Sequence, residues 1–381
     1  MTTTVRADIC VVGGGPAGST AARRLALLGH SVHLVERAVF PRRRLGDSLA
    51  PGISQVLGAL GHHAPAGLHP AELFARWAGA EHHAPTFVAD RGVFDTFLLD
   101  QARTAGVRIS QPALARRPRR HDGDGGWRIE VRQADQRFDL ECRFLVDAGG
   151  RTGLLRGNRR RAVTRTTALY GYWTPSAWEG PDVRVEAGRD EWLCATLLPD
   201  STVDAMVFVE RARCMGLARD ARSRLYRSLL FTSDLVGPWL GTQLTGTFAC
   251  DATSSITEDA VGRDWIKIGE AALTLDPLSS QGVQTAMTTA MQGSAAVHSI
   301  LRRHATASTA AAFYRSYLQR IARLHEELAA EHYSRQRQVE HRQFWIPRAV
   351  APSGSRTVAG AVGSRPEEAR PSPVPHSART S

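Results

Sequence analysis

The chain has 381 residues, of which 43% are hydrophobic and 22% charged, and its formal net charge is +11. This length and composition predict a globular protein with two or three structural units, and they exclude disordered, collagenous and disulfide-stapled chains. No apolar run reaches the ~20 residues that span a bilayer, and the N-terminus has no signal-peptide core, so we expect a cytoplasmic protein without membrane contact.

Lys267 is the only lysine in the chain, so nearly all of the positive charge is carried by arginine. A bias spread over the whole sequence does not define a phosphate-binding face, and we expect no nucleic-acid partner. The basic residues instead predict a solvated surface or attraction to an acidic protein. Five widely spaced cysteines show no metal-ligand pattern with histidine, which predicts reduced thiols and no metal site.

The first 36 residues predict a βαβ unit. Residues 7–12 are apolar and rich in β-formers, 13–18 form a glycine turn, 19–28 favour a helix, and 31–36 are apolar again.

The next segments predict further strands and a helix. Residues 87–90 are typical of a strand and 94–105 of a helix, while 127–131 and 137–146 alternate like antiparallel strands after a turn at 122–126.

The second half of the chain begins with a β-rich layer. Alternating β segments fill residues 165–250, interrupted by a helical stretch near 216–230. At 260–300 the pattern returns to strand, glycine turn and helix, and 309–343 is a long helical stretch. From 348 onward Ala, Pro, Ser, Gly and Arg dominate, which predicts a disordered basic tail.

Gly13, Gly15 and Gly18 fit the GxGxxG pattern of a dinucleotide-binding turn. The first glycine permits the tight turn, the second lets the backbone approach a pyrophosphate, and the third lets the helix pack on the strand. The helix N-terminus offers free N–H groups to the phosphates. Glu36 ends the next strand, where an acid is expected to hold a ribose hydroxyl. Together these residues predict a dinucleotide site.

The type of dinucleotide is indicated by two later strand-and-turn segments, LVDAGGR at 145–151 and the stretch at 265–283 that contains GEAA and DPLSSQGV. Each segment alone is equally typical of a βα turn without a ligand. Together with PRRRLGDSL at 41–49 and DRGVFD at 90–95, they resemble the FAD-binding motifs of the flavin-dependent monooxygenase and halogenase superfamily, whose fold is typified by p-hydroxybenzoate hydroxylase. The resemblance extends from the N-terminus to about residue 300.

The resemblance implies that FAD is the cofactor. The residues expected to bind it are Gly13, Gly15, Ala17, Gly18, Glu36, Arg37, Arg44, Arg91, Gly269, Glu270, Asp276, Pro277, Gly282 and Val283. Glu270 is one methylene longer than the family's aspartate, so we expect its contact with the cofactor to shift, and Asp47 is one methylene shorter than the family's glutamate. The start of a helix at Gly282 also favours a flavin, because its N–H groups can face the ring edge that becomes negative on reduction.

The predicted fold class is α/β, with a Rossmann-like FAD-binding domain interleaved with a β-rich substrate domain and followed by C-terminal helices. The predicted segments are 1–50, 85–165 and 259–308 for the FAD-binding domain, 51–84 and 166–258 for the substrate domain, 309–347 for the C-terminal helical segment, and 348–381 for the tail.

Three reactions fit this fold. Reduced flavin and O2 give a C4a-hydroperoxide that hydroxylates an electron-rich substrate or, with halide and a lysine between flavin and substrate, halogenates it. A flavin reductase or oxidase of a hydrophobic substrate is the third reaction. Halogenases of the tryptophan type carry their lysine before the DR..FD segment, but residues 1–266 contain none, and the halogenase WxWxIP pattern is reduced to EWLCATLLP at 191–199. We expect Lys267 on a strand of the cofactor domain with its amine in solvent. These departures favour hydroxylation.

The 191–209 stretch and DPLSSQGV resemble a halogenase-related subgroup that hydroxylates tryptophan side chains in a precursor polypeptide during maturation of quinone cofactors. Cys194 stands where that subgroup often has an aromatic residue. A small indole or phenol is therefore retained as a substrate alongside a tryptophan-containing polypeptide.

The candidate substrate-side residues are aromatic and titratable. Trp77, Trp173 and Trp192 could form an aromatic cage, with packing in the core as the alternative. His82 and His83 are candidate proton acceptors for a ring N–H or O–H, with a surface pair as the alternative.

The predicted function is thus an FAD-dependent aromatic monooxygenase. The fold has no separate nicotinamide domain, so the electron source is either NAD(P)H directly or a partner flavin reductase. The alternatives are a halogenase, a flavin reductase or oxidase, and a non-catalytic flavin-fold protein that escorts a polypeptide.

Overall fold

The predicted βαβ unit is present at the N-terminus of the computed structural model, which describes residues 3–121, 125–302 and 304–350. Residues 122–124 of the predicted turn and residues 351–381 of the predicted tail lie outside the described residues. The helices are α1 Pro16–Leu27, α2 Ile53–Ala59, α3 Arg91–Thr104, α4 Arg219–Phe231, α5 Gly282–Arg302 and α6 Ala307–Val339.

The strands alternate between two large sheets along the chain. They are β1 Thr3–Val12, β2 Val32–Val35, β3 Ser48–Leu49, β4 Leu68–Trp77, β5 Ala80–Ala89, β6 Arg108–Ser110, β7 Leu114–Arg120, β8 Trp127–Gln133, β9 Gln136–Asp147, β10 Arg159–Arg161, β11 Thr166–Pro175, β12 Val183–Ala187, β13 Glu191–Leu197, β14 Val203–Glu210, β15 Leu240–Gln243, β16 Phe248–Asp251, β17 Ser255–Thr257, β18 Trp265–Lys267 and β19 Leu273–Thr274.

The first sheet has the order β6-β2-β1-β9-β8-β7, with β18 paired to β9. Strands β2, β1, β9 and β18 run parallel, and their ends are in register, because Val12 pairs with both Val35 and Asp147, and Asp147 pairs with Lys267. The carboxyl ends of neighbouring parallel strands meet at one sheet edge, which is where doubly wound folds bind their ligands. The glycine turns that follow β1, β9 and β18 are therefore brought together.

Helices α1 and α5 cover this sheet with small apolar side chains. Ala22 and Leu25 of α1 and Ala290 and Val297 of α5 are almost fully buried in one cluster with Ile9 of β1. Small residues let helix and strand approach closely, which fixes the position of the α1 N-terminus relative to β1.

The second sheet has the order β15-β11-β14-β13-β12-β4-β5-β3, with β16 paired to β11. Alternation along β13 and β14 gives it two different faces. One face packs against α4 through Trp173 and Tyr226, and the other carries Trp192 and Phe208. A small third sheet, β10-β17-β19, lies between these segments in the chain. The chain passes back and forth between the two large sheets, as in an interleaved α/β fold. The domain boundaries given in the sequence analysis stay a prediction.

The predicted tail begins too early. Residues 347–349 form a turn of 3-10 helix, Trp345 is fully buried, and Arg348 is 6% exposed. The Arg348 guanidinium donates to Glu210 Oε2 at 2.8 Å and to the Thr166 hydroxyl at 3.1 Å. Composition alone missed Arg348 because its ion pair with the partly exposed Glu210 joins residues far apart in sequence. In the part of the chain that the structure describes, no helix is both long and apolar enough to cross a bilayer.

Candidate functional site

The three glycines of the first turn occupy three different environments. Gly13 has a φ of +106°, and a side chain there would overlap the carbonyl oxygen of Ala148. A side chain at Gly18 would overlap the carbonyl of Gly13. At Gly15 a Cβ atom would meet nothing closer than the Arg42 guanidinium at 3.9 Å, so the space in front of this residue is open. Gly13 and Gly18 are therefore fixed by packing of the protein on itself, whereas Gly15 leaves room for a ligand.

Glu36 lies at the end of β2 with its carboxylate turned toward the same turn. Oε2 accepts the Gly14 N–H at 2.5 Å, and Oε1 accepts the Ala38 N–H at 2.7 Å. The residue is 6% exposed. A buried carboxylate beside the glycine turn is the acceptor that a ribose hydroxyl needs.

A further turn, between β19 and α5, is held by its own side chains and by the residue that follows β3. Asp276 Oδ1 accepts the Leu278 N–H at 3.1 Å, and the Ala50 N–H donates to the Ser280 carbonyl at 3.2 Å. Burial raises the pKa of Asp276. Gly282 then begins α5 with no protein atom close to the position of a Cβ. The α5 N-terminus thus faces open space.

A single cavity of about 1140 Å³ connects these turns. Gly13, Gly15 and Glu36 line one end, while Asp276 and Gly282 line its middle. This volume exceeds the ~300–1,000 Å³ typical of sites for one small ligand. The cavity is therefore large enough for a dinucleotide and a second molecule.

The far end of the cavity is walled by aromatic and apolar side chains of the second sheet. Trp192 is stacked on Phe208 at 3.7 Å between ring centroids, and Trp77 meets Trp192 edge-on at 6.4 Å. Trp77 and Trp192 line the cavity, and both are nearly fully buried. Trp173 does not: it packs on the opposite face of the sheet, where its indole N–H donates to the Tyr226 hydroxyl at 2.9 Å.

Known proteins are similar to this chain in sequence and in fold. A model of the FAD dependent oxidoreductase family matches residues 8–157. The tryptophan 2-halogenase of Chondromyces crocatus is 28% identical over 349 residues, which cover 80% of this chain and 64% of the halogenase. The structure of CmlS, a flavin-dependent halogenase, has a TM-score of 0.80 at 26% identity and covers 92% of this chain and 68% of CmlS.

A second solved structure, the peptidyl tryptophan dihydroxylase QhpG essential for tryptophylquinone cofactor biogenesis, has a TM-score of 0.79 at 26% identity and covers 92% of this chain and 80% of that protein. The chain thus resembles the flavin-dependent monooxygenase and halogenase superfamily in both sequence and fold. It spans less than two thirds of the tryptophan 2-halogenase that it matches.

The residues present fit the FAD of this superfamily. Of the predicted contacts, those that line the cavity are Gly13, Gly15, Ala17, Glu36, Arg37, Arg44, Arg91, Glu270, Asp276, Pro277, Gly282 and Val283. Gly18 and Gly269 do not line it. A Cβ at Gly269 would approach the Ala17 side chain at 2.7 Å, so this glycine allows the turn after β18 to pack on α1.

Arg91 stabilises the wall of the flavoprotein's cavity through a buried ion pair. Its Nε and Nη2 atoms donate to the two carboxylate oxygens of Asp95 at 2.9 and 3.1 Å, and Nη1 donates to the Leu45 carbonyl at 2.6 Å. Burial acts to lower the pKa of Arg91, but the neighbouring Asp95 carboxylate raises it above its usual value. The guanidinium thus holds the 45–46 turn in place. Arg91 is therefore a positioning residue as well as a candidate ligand of FAD.

Glu270 accepts the Arg151 Nε–H at 3.1 Å, and both side chains are about one-third exposed. The extra methylene therefore lets the carboxylate reach across to the turn after β9. Because the Glu270 carboxylate is paired with Arg151, it is less free to bind the cofactor than its place in the family motif suggests.

The two candidate histidines lie on opposite faces of β5. His82 lines the cavity, and the exposed His332 and Arg335 line it as well, so the aromatic end is open to solvent here. His83 does not line the cavity. Its Nδ1 lies 2.8 Å from Glu72 Oε1, and its ring packs on Phe74 at 4.8 Å. His82 therefore remains a candidate proton acceptor, and His83 does not.

Sequence reasoning missed two buried carboxyl groups near the cavity. Asp47 lines the cavity and is 3% exposed, and Asp204 on β14 has no exposed surface. Asp47 Oδ2 and both carboxylate oxygens of Asp204 have no hydrogen-bond partner among the described residues. Burial and the adjacent Asp204 raise the pKa of Asp47, and burial raises the pKa of Asp204. The sequence did contain one signal for this pair, because Asp47 stands where the family has a glutamate.

The prediction that the Lys267 amine faces solvent is wrong. Lys267 is 3% exposed, and its Nζ donates to the Thr257 hydroxyl at 3.3 Å. Burial lowers its pKa. The side chain is directed toward the third sheet and does not line the cavity. Its amine therefore lies inside the part of the fold that contains β9 and β18.

Proposed function

We propose that the protein is an FAD-dependent monooxygenase that hydroxylates an electron-rich aromatic ring, an indole or a phenol. The observation that carries this proposal is one cavity that runs from the dinucleotide turn to an aromatic wall and contains no ammonium group. FAD, when bound and reduced, supplies the activation of O2 that places one oxygen atom on the ring. The electrons come from NAD(P)H or a partner flavin reductase.

The cofactor end of the cavity is suited to bind and orient the dinucleotide. The α1 N-terminus beyond Gly15 can bind the pyrophosphate, and Glu36 can exchange its Gly14 contact for a ribose hydroxyl. The α5 N-terminus at Gly282 directs its dipole at the flavin end, where it stabilises negative charge.

The aromatic wall is suited to hold a flat ring. Trp192 and Phe208 are stacked and held by neighbouring strands, and Trp77 is anchored by its indole N–H, which donates to the His332 carbonyl at 3.0 Å. Rigid aromatic walls orient a ring at little entropic cost.

Halogenation is the second candidate because two of the similar proteins named above are halogenases. The position of Lys267 argues against it. This lysine is the only one in the chain, and its amine is hydrogen-bonded to Thr257 away from the cavity. A halogenase of the kind that the resemblance implies would need that amine between flavin and substrate.

The class of aromatic substrate is also a proposal. QhpG is named as a peptidyl tryptophan dihydroxylase, and its fold covers 92% of this chain. The opening beside His82, His332 and Arg335 leads to the aromatic wall, so a tryptophan side chain could enter there while its polypeptide stays outside. We propose a tryptophan-containing polypeptide as one substrate class and a small indole or phenol as the other.

The test is a purified protein supplied with FAD, a reductant and candidate aromatics. The proposal expects a yellow protein whose product carries one oxygen atom from labelled O2. A colourless preparation that still binds a polypeptide would instead support an escort protein, and reductant consumption without labelled product would support a reductase or oxidase.

A further inference from the structure

Asp47 lines the cavity, and Asp204, which is fully buried and does not line it, lies beside Asp47 on β14. Asp204 belongs to the face of β14 that also carries Met206 and Phe208, and these two side chains line the cavity. Asp47 precedes β3, which is joined to the flavin turn by the Ala50–Ser280 hydrogen bond. The pair therefore lies between the flavin turn and the aromatic wall.

Among the described residues, no cation forms an ion pair with Asp47 or Asp204. Arg91 faces Asp47 but donates to both oxygens of Asp95, which Arg42 also contacts at 3.3 Å. Arg43 faces Asp204 but pairs with the exposed Asp200 at 2.7 Å. The nearby Asp90 adds negative charge.

The remaining titratable groups near Asp204 are Tyr170 and Tyr172 of β11, Cys194 of β13 and Tyr226 of α4. Burial raises the pKa of all four, and the proximity of Asp204 raises it further. Their protons are thus retained at neutral pH. Two carboxyl groups that are buried together, with no ion pair to either, do not both ionise, so they hold one proton between them.

The pair leaves carboxyl oxygens that no other described residue contacts. Asp47 Oδ2 and both oxygens of Asp204 have no partner outside the pair, and Asp47 is the member that lines the cavity. Unpaired buried carboxylate oxygens cost free energy unless a donor reaches them. An aromatic ring seated against Trp192 would bring its N–H or O–H to this end of the cavity.

We propose that Asp47 and Asp204 share one proton, and that Asp47, the member of the pair that lines the cavity, binds the substrate's ring N–H or O–H and accepts its proton during turnover. The proton leaves the ring heteroatom, which keeps the bonding electron pair, and the carboxyl pair changes from one proton and a charge of −1 to two protons and no charge. The proton returns as the oxidised ring regains its N–H or O–H. This assignment deepens the proposed function and rests on it for the identity of the substrate.

The first experiment is infrared difference spectroscopy of the FAD-loaded protein titrated between about pH 5 and about pH 9. We expect the band of a protonated carboxyl to persist at neutral pH, and we expect both Asp47→Asn and Asp204→Asn to shift its titration. Asp135→Asn, a change in an exposed hairpin turn, should leave the band unaltered. Absence of the band from the wild type at neutral pH, or a band that neither variant alters, would overturn proton sharing. The wild-type spectrum alone decides this if a variant does not fold.

The second experiment measures binding of phenol and of indole to the same FAD-loaded proteins. Loss of a hydrogen bond to a charged group predicts binding weakened about tenfold or more in Asp47→Asn and Asp204→Asn, with Asp135→Asn unchanged. Equal affinity in all proteins, or no binding to the wild type, would overturn the assignment of the pair to the substrate. Failure of the proposed function would appear separately, as a colourless protein or an unlabelled product.

Discussion

The hydroxyl of Tyr333 on α6 donates a 3.0 Å hydrogen bond to Oδ1 of Asp276, in the turn that leads into α5. Tyr333 is 2% exposed and packs on Trp77 and Trp345. The C-terminal helix is thereby joined to the turn that faces the flavin. Replacing Tyr333 with Phe removes one buried hydrogen bond, worth about 1 kcal/mol, and should weaken FAD binding severalfold. Flavin fluorescence during dilution measures this change.

Tyr314 provides the matched control for that prediction. It lies on the same helix, is fully buried, and donates its hydroxyl to the Lys267 carbonyl at 2.8 Å, away from the cavity. Tyr314→Phe should lower Tm by a similar amount and leave FAD affinity unchanged. Equal loss of FAD affinity in both variants would mean that general stability, and not the contact with Asp276, is responsible.

Gly15 and Gly18 should respond differently to a side chain. Leucine at Gly15 meets open space in the protein, so Gly15→Leu should fold with little change in Tm while losing the yellow colour, because the side chain blocks the approach of the pyrophosphate. Alanine at Gly18 overlaps the Gly13 carbonyl and should lower Tm or prevent folding. Circular dichroism and the visible spectrum of each variant check this pair. A yellow Gly15→Leu protein would argue against a cofactor at this turn.

Much of the fold, and part of the site, could be predicted from the sequence. The βαβ unit and its glycine turn were predicted because their signals are local. The faces of the second sheet were not, since Trp173 and Trp192 lie on similar strands and only the packing of α4 decides which face each occupies. The pairing of Asp47 with Asp204 joins residues far apart in sequence, and the burial of Lys267 depends on Thr257 of another sheet.

The stability of the protein should depend on pH through Asp204. Burial raises the pKa of Asp204 to about 7 in the folded state, above the ~3.9 of an unfolded aspartate. Protonation is therefore favoured by folding, so the native state is destabilised as pH rises from about 4 to about 7. Asp204→Asn removes this dependence, and its Tm relative to the wild type should rise over that range by at least about 2 °C. Thermal unfolding at several pH values measures the difference. A constant difference in Tm would contradict the raised pKa.

The segment after α6 should contribute to stability. Trp345 is fully buried, and its indole N–H donates to the Arg189 carbonyl at 2.8 Å. Trp345→Ala should cost about 3–5 kcal/mol in free energy of unfolding, as expected for a large buried aromatic side chain. Phe313→Ala, at a side chain that is 52% exposed, should cost far less. Denaturant titration compares the two, and similar values would place Trp345 outside the folded core.

The most direct measurement is mass spectrometry of the product formed from an indole or phenol substrate by FAD-loaded protein with reductant, labelled O2, chloride and bromide present together. Hydroxylation predicts a product that carries one labelled oxygen atom and no halogen, because the single lysine, Lys267, is hydrogen-bonded to Thr257 and lies outside the cavity. A chlorinated or brominated product without labelled oxygen would contradict the account.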